Sequence, residues 1–145
     1  MKKTLIHSLT FPPDTISTGM IVSEIADGIN SEHHNIEVLA SSPQYNLKSA
    51  DSFIQNNKYP KSEFYKDIKV HYIKSSPRQF VNSLRFIQWL IFNFKSMIFI
   101  YRNRRSYDNV LIFSYPPTMN LVCIFTSKIL KINTIYSLWE LYPEI

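Results

Sequence analysis

The sequence contains few of the features that mark secreted or membrane-spanning proteins. Cys123 is the single cysteine among 145 residues, which excludes an internal disulfide framework and favours a reducing, cytoplasmic setting. After the basic residues 1–3 only Leu5-Ile6 is apolar before His7, so we expect no secretory signal. The longest apolar stretch, 86–101, is interrupted by polar residues and is too short and too polar for a membrane span.

Motifs for several common chemistries are also missing. Glycine occurs only as Gly19 and Gly28, and neither G-x-G-x-x-G nor a phosphate-loop lysine is present. The four histidines and Cys123 show no metal-ligand spacing, and no G-x-S-x-G nucleophile elbow occurs. We therefore expect no metal and no organic cofactor. His7 lies within a predicted strand and is expected to be a core residue rather than a ligand.

The overall composition is that of one globular domain. The chain is 45% hydrophobic and 19% charged, and 145 residues suffice to bury one core. The net charge of +5 suits an anionic partner such as a membrane surface or a phosphorylated ligand. A merely soluble basic domain explains this charge equally well. We expect no nucleic-acid partner.

Alternating strand and helix patterns predict the fold class. Apolar runs and periodicities predict strands at about 3–9, 35–41, 69–74, 109–115 and 133–138, and helices at about 19–32, 79–104 and 116–130. This order predicts an α/β protein with a Rossmann-like, doubly wound, mostly parallel sheet. The polar segment 42–67 is predicted to be a long loop with little regular structure, which makes it a candidate for a functional role.

Helical spacing predicts which face of each helix is apolar. In the first helix, Thr18 or Thr15 is the predicted cap, and one face carries Met20, Ile21, Ile25 and Ile29. In the second helix one stripe consists of Leu84, Ile87, Ile91, Phe94, Ile98 and Tyr101, while four aromatics lie off it, namely Phe86, Trp89, Phe92 and Phe99. One sheet face cannot cover both sets. The excess is predicted to meet a neighbouring element, a partner or a membrane interface, where Arg102, Arg104 and Arg105 suit anionic head groups. A helix buried on all sides remains the alternative.

Ligands of doubly wound sheets bind beyond the carboxyl ends of the strands, which selects the segments 10–19, 41–45, 114–118 and 139–144. Ser17-Thr18-Gly19 begins a helix whose backbone N–H groups can hold a phosphate, although an ordinary capped helix start is the alternative. In the last segment a carboxylate can accept a hydrogen bond from a sugar hydroxyl, and an aromatic can stack on a sugar ring. The alternative for Glu140 is a helix-start or ion-pairing residue.

Five short segments, in order along nearly the whole chain, carry a resemblance to a known family. They are Phe11-Pro12-Pro13-Asp14 with Thr18-Gly19; His34 with Ile36, Val38 and Leu39; Ser42-Pro43-Gln44-Tyr45-Asn46; Ser114-Tyr115-Pro116-Pro117-Thr118; and Leu141-Tyr142-Pro143-Glu144-Ile145, preceded by Glu140 at an acidic position. Together they resemble the start of family 4 glycosyltransferases of the GT-B fold. The closest subgroup is the colanic-acid and O-antigen type, which makes bacterial surface polysaccharides such as lipopolysaccharide and capsule.

The resemblance implies transfer of a sugar from a nucleotide-sugar co-substrate to a glycan acceptor, commonly lipid-linked, at the inner face of the cytoplasmic membrane. Residues 1–145 would form the N-terminal, acceptor-side domain, truncated before the second, donor-binding domain and incomplete without that polypeptide. No metal is expected. The resemblance assigns Glu140 as catalytic, Thr18 and Gly19 as facing the donor phosphates, and six residues as acceptor-binding, namely Asp14, Tyr45, Tyr115, Trp139, Tyr142 and Glu144.

Several positions depart from the family pattern. Ile16 and His33 stand where the family often has glycine, Ser137 stands at a frequently acidic position, and Trp139 replaces the usual Gln or Arg. These departures concern the acceptor contacts more than the fold. Two other functions stay open: a non-catalytic module or inactive remnant that binds a glycan or a membrane, and a small flavodoxin-like nucleotide-binding protein.

Overall fold

A mostly parallel sheet forms the centre of the protein in the computed structural model, which describes residues 2–14, 16–31, 33–44, 59–75 and 82–139. Six strands lie within these ranges: β1 (Lys2–His7), β2 (His34–Ser41), β3 (Ser62–Tyr65), β4 (Ile68–Ile73), β5 (Asn109–Phe113) and β6 (Asn133–Ser137). Their order across the sheet is β3-β4-β2-β1-β5-β6. All neighbouring pairs are parallel except the edge pair of β3 with β4.

Helices cover both faces of this sheet. The helix α1 (Ser17–Ile29) packs on one face, and α2 (Asn82–Arg102) and α3 (Met119–Ile124) pack on the other. A short π-helix, Phe125–Ile129, continues α3. The chain adds β2 and β4 on one side of β1 and then returns to place β5 and β6 on the other side. The strand order therefore reverses between β1 and β5, and the predicted Rossmann-like α/β fold is confirmed.

The central strands are buried on both faces, as their continuous apolar runs predict. In β1, Leu5 contributes to the core beneath α2 and α3, whereas its neighbour Ile6 contributes to the core beneath α1. In β2, Leu39 contributes to the core beneath α2 and α3, and Val38 contributes to the core beneath α1. The predicted strands β1, β2, β4, β5 and β6 agree with the structure to within about two residues, which is the ordinary uncertainty of element ends.

The prediction of a structureless loop over 42–67 was wrong for its last residues, because β3 pairs there with β4 in a hairpin. The two-residue turn is Lys66-Asp67, with Lys66 in the left-handed region at φ 51°. Such turns usually contain Asn or Gly, which this one lacks. Most of β3 is exposed, so it also lacks a buried alternating pattern. Residues 45–58 lie outside the described ranges.

The predicted apolar face of α1 is partly buried only at Ile25, which packs against the core. Met20, Ile21 and Ile29 are each more than 40% exposed, whereas the buried residues of the helix are Gly19, Val22, Ser23 and Ala26. Small side chains on the inner face let the helix backbone approach the sheet closely, which leaves the larger isoleucines outside. The predicted caps are also not seen, because Ile16 precedes the helix, no side chain caps it, and Thr18 lies within the first turn. Thr15 lies outside the described residues.

The stripe predicted for α2 was likewise reversed. Phe92, Asn93, Ser96 and Ile100 are buried, while the whole stripe from Leu84 to Tyr101 is on the outside, between 38% and 66% exposed. The inner face tolerates its two polar residues because both hydrogen bond locally. Ser96 Oγ donates to the Phe92 carbonyl at 2.9 Å, and Asn93 Nδ2 donates to the Thr118 carbonyl at 2.8 Å. Phe92 is therefore a core residue and not part of an interaction surface.

A buried carboxylate links three strands. Glu37 on β2 accepts from Lys3 Nζ at 2.8 Å, from Tyr107 Oη at 2.7 Å and pairs with His71 Nε2 at 2.8 Å. Burial alone would raise the pKa of Glu37, but these hydrogen bonds and the Lys3 charge outweigh it and lower the pKa to about 2. Glu37 is therefore ionised at neutral pH and holds β1, β2 and β4 together.

Candidate functional site

Four loops meet at the carboxyl edge of the sheet, on either side of the point where the strand order reverses. The loop after β1 is joined to the end of β2 by two backbone hydrogen bonds. Ser8 N donates to Leu39 O at 3.0 Å, and Ser41 N donates to Leu9 O at 3.1 Å. On the other side, Ser114 N donates to Ser137 O at 3.0 Å. The described parts of the four segments selected from the sequence therefore lie along one edge, as predicted.

Asp14 connects the loop after β1 to the loop after β2. The backbone N–H of Gln44 donates to Asp14 Oδ2 at 3.1 Å, and Gln44 Nε2 donates to Ser41 Oγ at 2.9 Å. Because Asp14 is only 2% exposed, its carboxylate fixes the shape of the loop more than it presents a charge to solvent. Its assignment as an acceptor-binding residue stays a prediction.

Gly19 allows the start of α1 to pack directly on the loop after β1. A Cβ at this position would lie 3.3 Å from the Asp14 carbonyl oxygen and 3.5 Å from the Phe11 nitrogen, so a larger side chain would push the loop away. Thr18 and Gly19 lie in the first helical turn, where backbone N–H groups have no acceptor within the helix and carry partial positive charge. Gly19 itself is buried against this loop, and the phosphate-facing role of Thr18 and Gly19 stays a prediction.

Two aromatic side chains stand at the ends of β5 and β6. Trp139 is held by its backbone N–H, which donates to Ser114 Oγ at 3.0 Å, and by its indole N–H, which donates to Ser137 Oγ at 2.7 Å. Its ring contacts Phe113 edge to face with centroids 4.6 Å apart, and the side chain is 36% exposed. Tyr115 is half-buried and lies against Trp89 of α2. Of the predicted acceptor-binding aromatics, the two described ones therefore lie at the carboxyl ends of β5 and β6. Tyr115 packs against the core beneath α2 and α3, and Trp139 packs on Phe113 of the core beneath α1.

Buried polar groups lie beneath these loops. His7 is fully buried as predicted, and it stacks on Phe92 with ring centroids 5.3 Å apart. Burial lowers the pKa of His7 to about 3, so the ring is neutral. Within the described residues, both His7 ring nitrogens and the hydroxyls of Thr10 and Thr118 have no hydrogen-bond partner. Both threonines lie in segments that the sequence selected, but nothing singled out their hydroxyls because a lone hydroxyl in a loop gives no pattern.

A small aromatic pocket adjoins the loop after β1. Its volume is about 180 Å³, and it is lined by Pro12, Pro13, Tyr59, Glu63, Phe64, Tyr65 and Tyr72. The Tyr72 hydroxyl donates to the Pro12 carbonyl at 3.0 Å, and the Tyr59 and Tyr72 rings meet edge to face at 4.9 Å. Sequence reasoning missed this pocket because most of its residues fell in the segment predicted to be a loop.

Several predicted site residues lie outside the described residues, namely Tyr45, Glu140, Tyr142 and Glu144. Within the described ranges no three His, Cys, Asp or Glu side chains are grouped to hold a metal ion, and no helix there is long and apolar enough to cross a bilayer. Neither a protein-family model nor a curated protein matches this sequence. The function of the domain must therefore be inferred from the loops at the carboxyl edge of the sheet and from the resemblance of their sequences.

Proposed function

We propose that this domain is the acceptor-side, N-terminal half of a GT-B glycosyltransferase that acts in surface-polysaccharide biosynthesis. The observation that carries the proposal is the meeting of several resembling segments at one edge of the sheet. The motifs of residues 11–14, 18–19, 42–44 and 114–118 are separated by up to about a hundred positions in sequence, yet they flank the same reversal of strand order. Ligands of open α/β sheets bind at such a reversal.

The side chains at this edge suit a sugar. Aromatic rings stack on the apolar faces of sugar rings, and Trp139 and Tyr115 offer partly exposed rings at neighbouring strand ends. The aromatic pocket beside Pro12 adds further rings and the Glu63 carboxylate, which can accept from sugar hydroxyls. The loops therefore combine stacking surfaces with hydrogen-bonding groups, as a glycan acceptor requires.

The donor would be bound largely by a second domain. In the proposed reaction, the oxygen of an acceptor hydroxyl forms a bond to the anomeric carbon as the bond from that carbon to the nucleotide diphosphate breaks. The hydroxyl proton passes to the departing phosphate oxygen. The first turn of α1, with Thr18 and Gly19, supports the departing phosphates through its backbone N–H groups. Holding donor and acceptor together in the reacting orientation provides much of the rate gain, which requires both domains. We further propose that the domain lies peripherally on the inner face of the cytoplasmic membrane, where a lipid-linked acceptor is located.

The 145-residue chain by itself is expected not to transfer sugar from common nucleotide sugars to glycoside acceptors. The reason is that the proposed donor-binding groups belong to another domain, so the reacting groups are not held together. The measurement is release of free nucleotide diphosphate from a panel of nucleotide sugars, with and without acceptor. Acceptor-dependent release by the purified chain, retained after a second purification and lost on mild heating together with the fold, would contradict the two-domain proposal.

In the enzyme completed by a donor-binding domain, Glu140→Gln is expected to lower turnover by about ten-fold or more. A carboxylate that accepts a hydrogen bond from the acceptor hydroxyl in a closed cleft contributes roughly 1.5–3 kcal/mol, and the amide accepts more weakly. The matched control is Glu24→Gln, which makes the same substitution at an exposed carboxylate of α1. Turnover and the melting temperature are measured together. Normal turnover in Glu140→Gln, or a loss explained by earlier melting, would remove Glu140 from the proposed mechanism.

A further inference from the structure

A cationic groove lies between α2 and the outer strands β3 and β4, on the face of the sheet opposite α1. Its volume is about 600 Å³. Four lysine or arginine side chains line it together with His71, namely Lys61, Lys74, Lys95 and Arg102, and none of its described lining residues is a carboxylate. This concentration of one sign of charge in a concave site favours an anionic ligand.

The groove is held in shape by contacts between its two walls. Lys95 on α2 donates through Nζ to the carbonyl of Lys74, just past β4, at 2.9 Å. Across the floor the rings of His71 and Phe99 pack with centroids 5.0 Å apart. His71 in turn contacts Glu37, whose carboxylate is also engaged by Lys3. The Glu37 carboxylate behind His71 is thus already paired.

An apolar ridge runs along α2 beside this groove. It consists of the exposed stripe Leu84, Ile87, Ile91, Phe94, Ile98 and Tyr101. Ile98 belongs to both surfaces, since it is part of the ridge and also lines the groove. At a rise of 1.5 Å per residue the ridge is roughly 26 Å long. A long, convex apolar ridge bordered by cations matches the interface of an anionic bilayer, where the ridge enters the acyl boundary and the cations meet phosphates.

We propose that this groove binds the phosphate of an anionic phospholipid headgroup while the apolar ridge of α2 inserts at the membrane surface. The volume accommodates a glycerophosphate headgroup, and the groove cations match its charge. A partner protein is less well suited, because the ridge is convex and the groove lies along its flank. The inference rests on the proposed peripheral position and names the lipid group and the residues that bind it. Its test does not depend on whether the carboxyl edge binds sugars.

The test is flotation of the full 145-residue chain with vesicles of phosphatidylcholine alone or with phosphatidylglycerol at about one third. Wild type is expected to bind only the anionic vesicles. Lys95→Gln with Arg102→Gln is expected to lower the partition coefficient about ten-fold or more. The matched control, Lys128→Gln with Lys131→Gln, removes the same charge from the α3 side and is expected to lower it less than about three-fold. Ile91→Ser with Phe94→Ser removes the ridge and is also expected to lower binding ten-fold or more.

Each other result overturns the proposal. If the two charge variants lowered the partition coefficient equally, the attraction would be diffuse and the groove would not be a specific site. Unchanged binding of the ridge variant would exclude insertion. A third contradicting result is that the protein binds no vesicles but inorganic phosphate or glycerol 3-phosphate shifts the amide resonances of Lys74 and Lys95. The groove would then be a site for a free phosphate compound. Melting curves of all variants verify the fold, and each substituted side chain is exposed, so folding is expected to be retained.

Discussion

Phe92→Ala is expected to lower the free energy of unfolding by about 3–5 kcal/mol, whereas Phe94→Ala, two positions along α2, is expected to change it by less than about 0.5 kcal/mol. Phe92 is 2% exposed and packs on His7 in the core between α2 and the sheet, while Phe94 is 66% exposed. Truncating Phe92 removes the ring that stacks on His7 and leaves a cavity in the core. The two variants make the same Phe→Ala substitution on the same helix, and they differ in the helix face on which the side chain lies.

Urea denaturation followed by circular dichroism measures both variants. The midpoint of Phe92→Ala should fall strongly, and that of Phe94→Ala should stay close to wild type. The reverse order, with Phe94→Ala the more destabilised variant, would mean that the ridge faces the sheet. That outcome would also remove the apolar surface on which the membrane inference depends.

Glu37→Gln is expected to lower the free energy of unfolding at pH 7 on the order of 3 kcal/mol. The substitution removes the charge that Lys3 and Tyr107 bind, and it places an amide donor against other donors in a buried position. The control is Asp27→Asn, which removes the exposed ion pair with Lys66 and is expected to leave the melting temperature unchanged.

The same carboxylate predicts how wild-type stability depends on pH. The folded-state pKa of Glu37, about 2, lies below the ordinary value of 4.5, so the folded state binds fewer protons between these values. Its contribution is fully present above about pH 4.5 and is lost as the pH falls toward 2, a change on the order of 3 kcal/mol. Glu37→Gln should therefore show a flatter acid limb than wild type in denaturation measured from pH 6 to pH 3. Parallel acid limbs for the two proteins would contradict the low pKa.

The sheet could be predicted from the sequence, but the helix faces could not. Continuous apolar runs such as residues 36–40 identify strands buried on both sides. In α2, by contrast, apolar residues occur on every side, and spacing alone favoured the stripe that is in fact exposed. The buried face instead contains Asn93 and Ser96, whose polar atoms bond within the core. Local partners of this kind have no signature in the sequence.

The sequence predicted where the candidate site lies, but it predicted only some of the residues that form it. The carboxyl-edge location follows from the alternation of strands and helices, and Thr18, Gly19, Tyr115 and Trp139 lie there. The aromatic pocket and the cationic groove were missed because both depend on β3. That strand has an exposed, irregular sequence and a turn without glycine or asparagine, so only its tertiary pairing with β4 reveals it.

The acceptor role of the carboxyl-edge cleft is tested most directly by nuclear magnetic resonance titration of the isotope-labelled 145-residue chain. The probes are neutral methyl glycosides and disaccharides, which avoid the cationic groove, and flavin mononucleotide is the comparison ligand. We expect saturable shifts from at least one glycoside at amides in 8–14, 42–44, 114–118 and 139, and no saturable shift there from the flavin. Saturable flavin binding at these amides, or no shift there from any glycoside in the panel, would contradict an acceptor-binding domain.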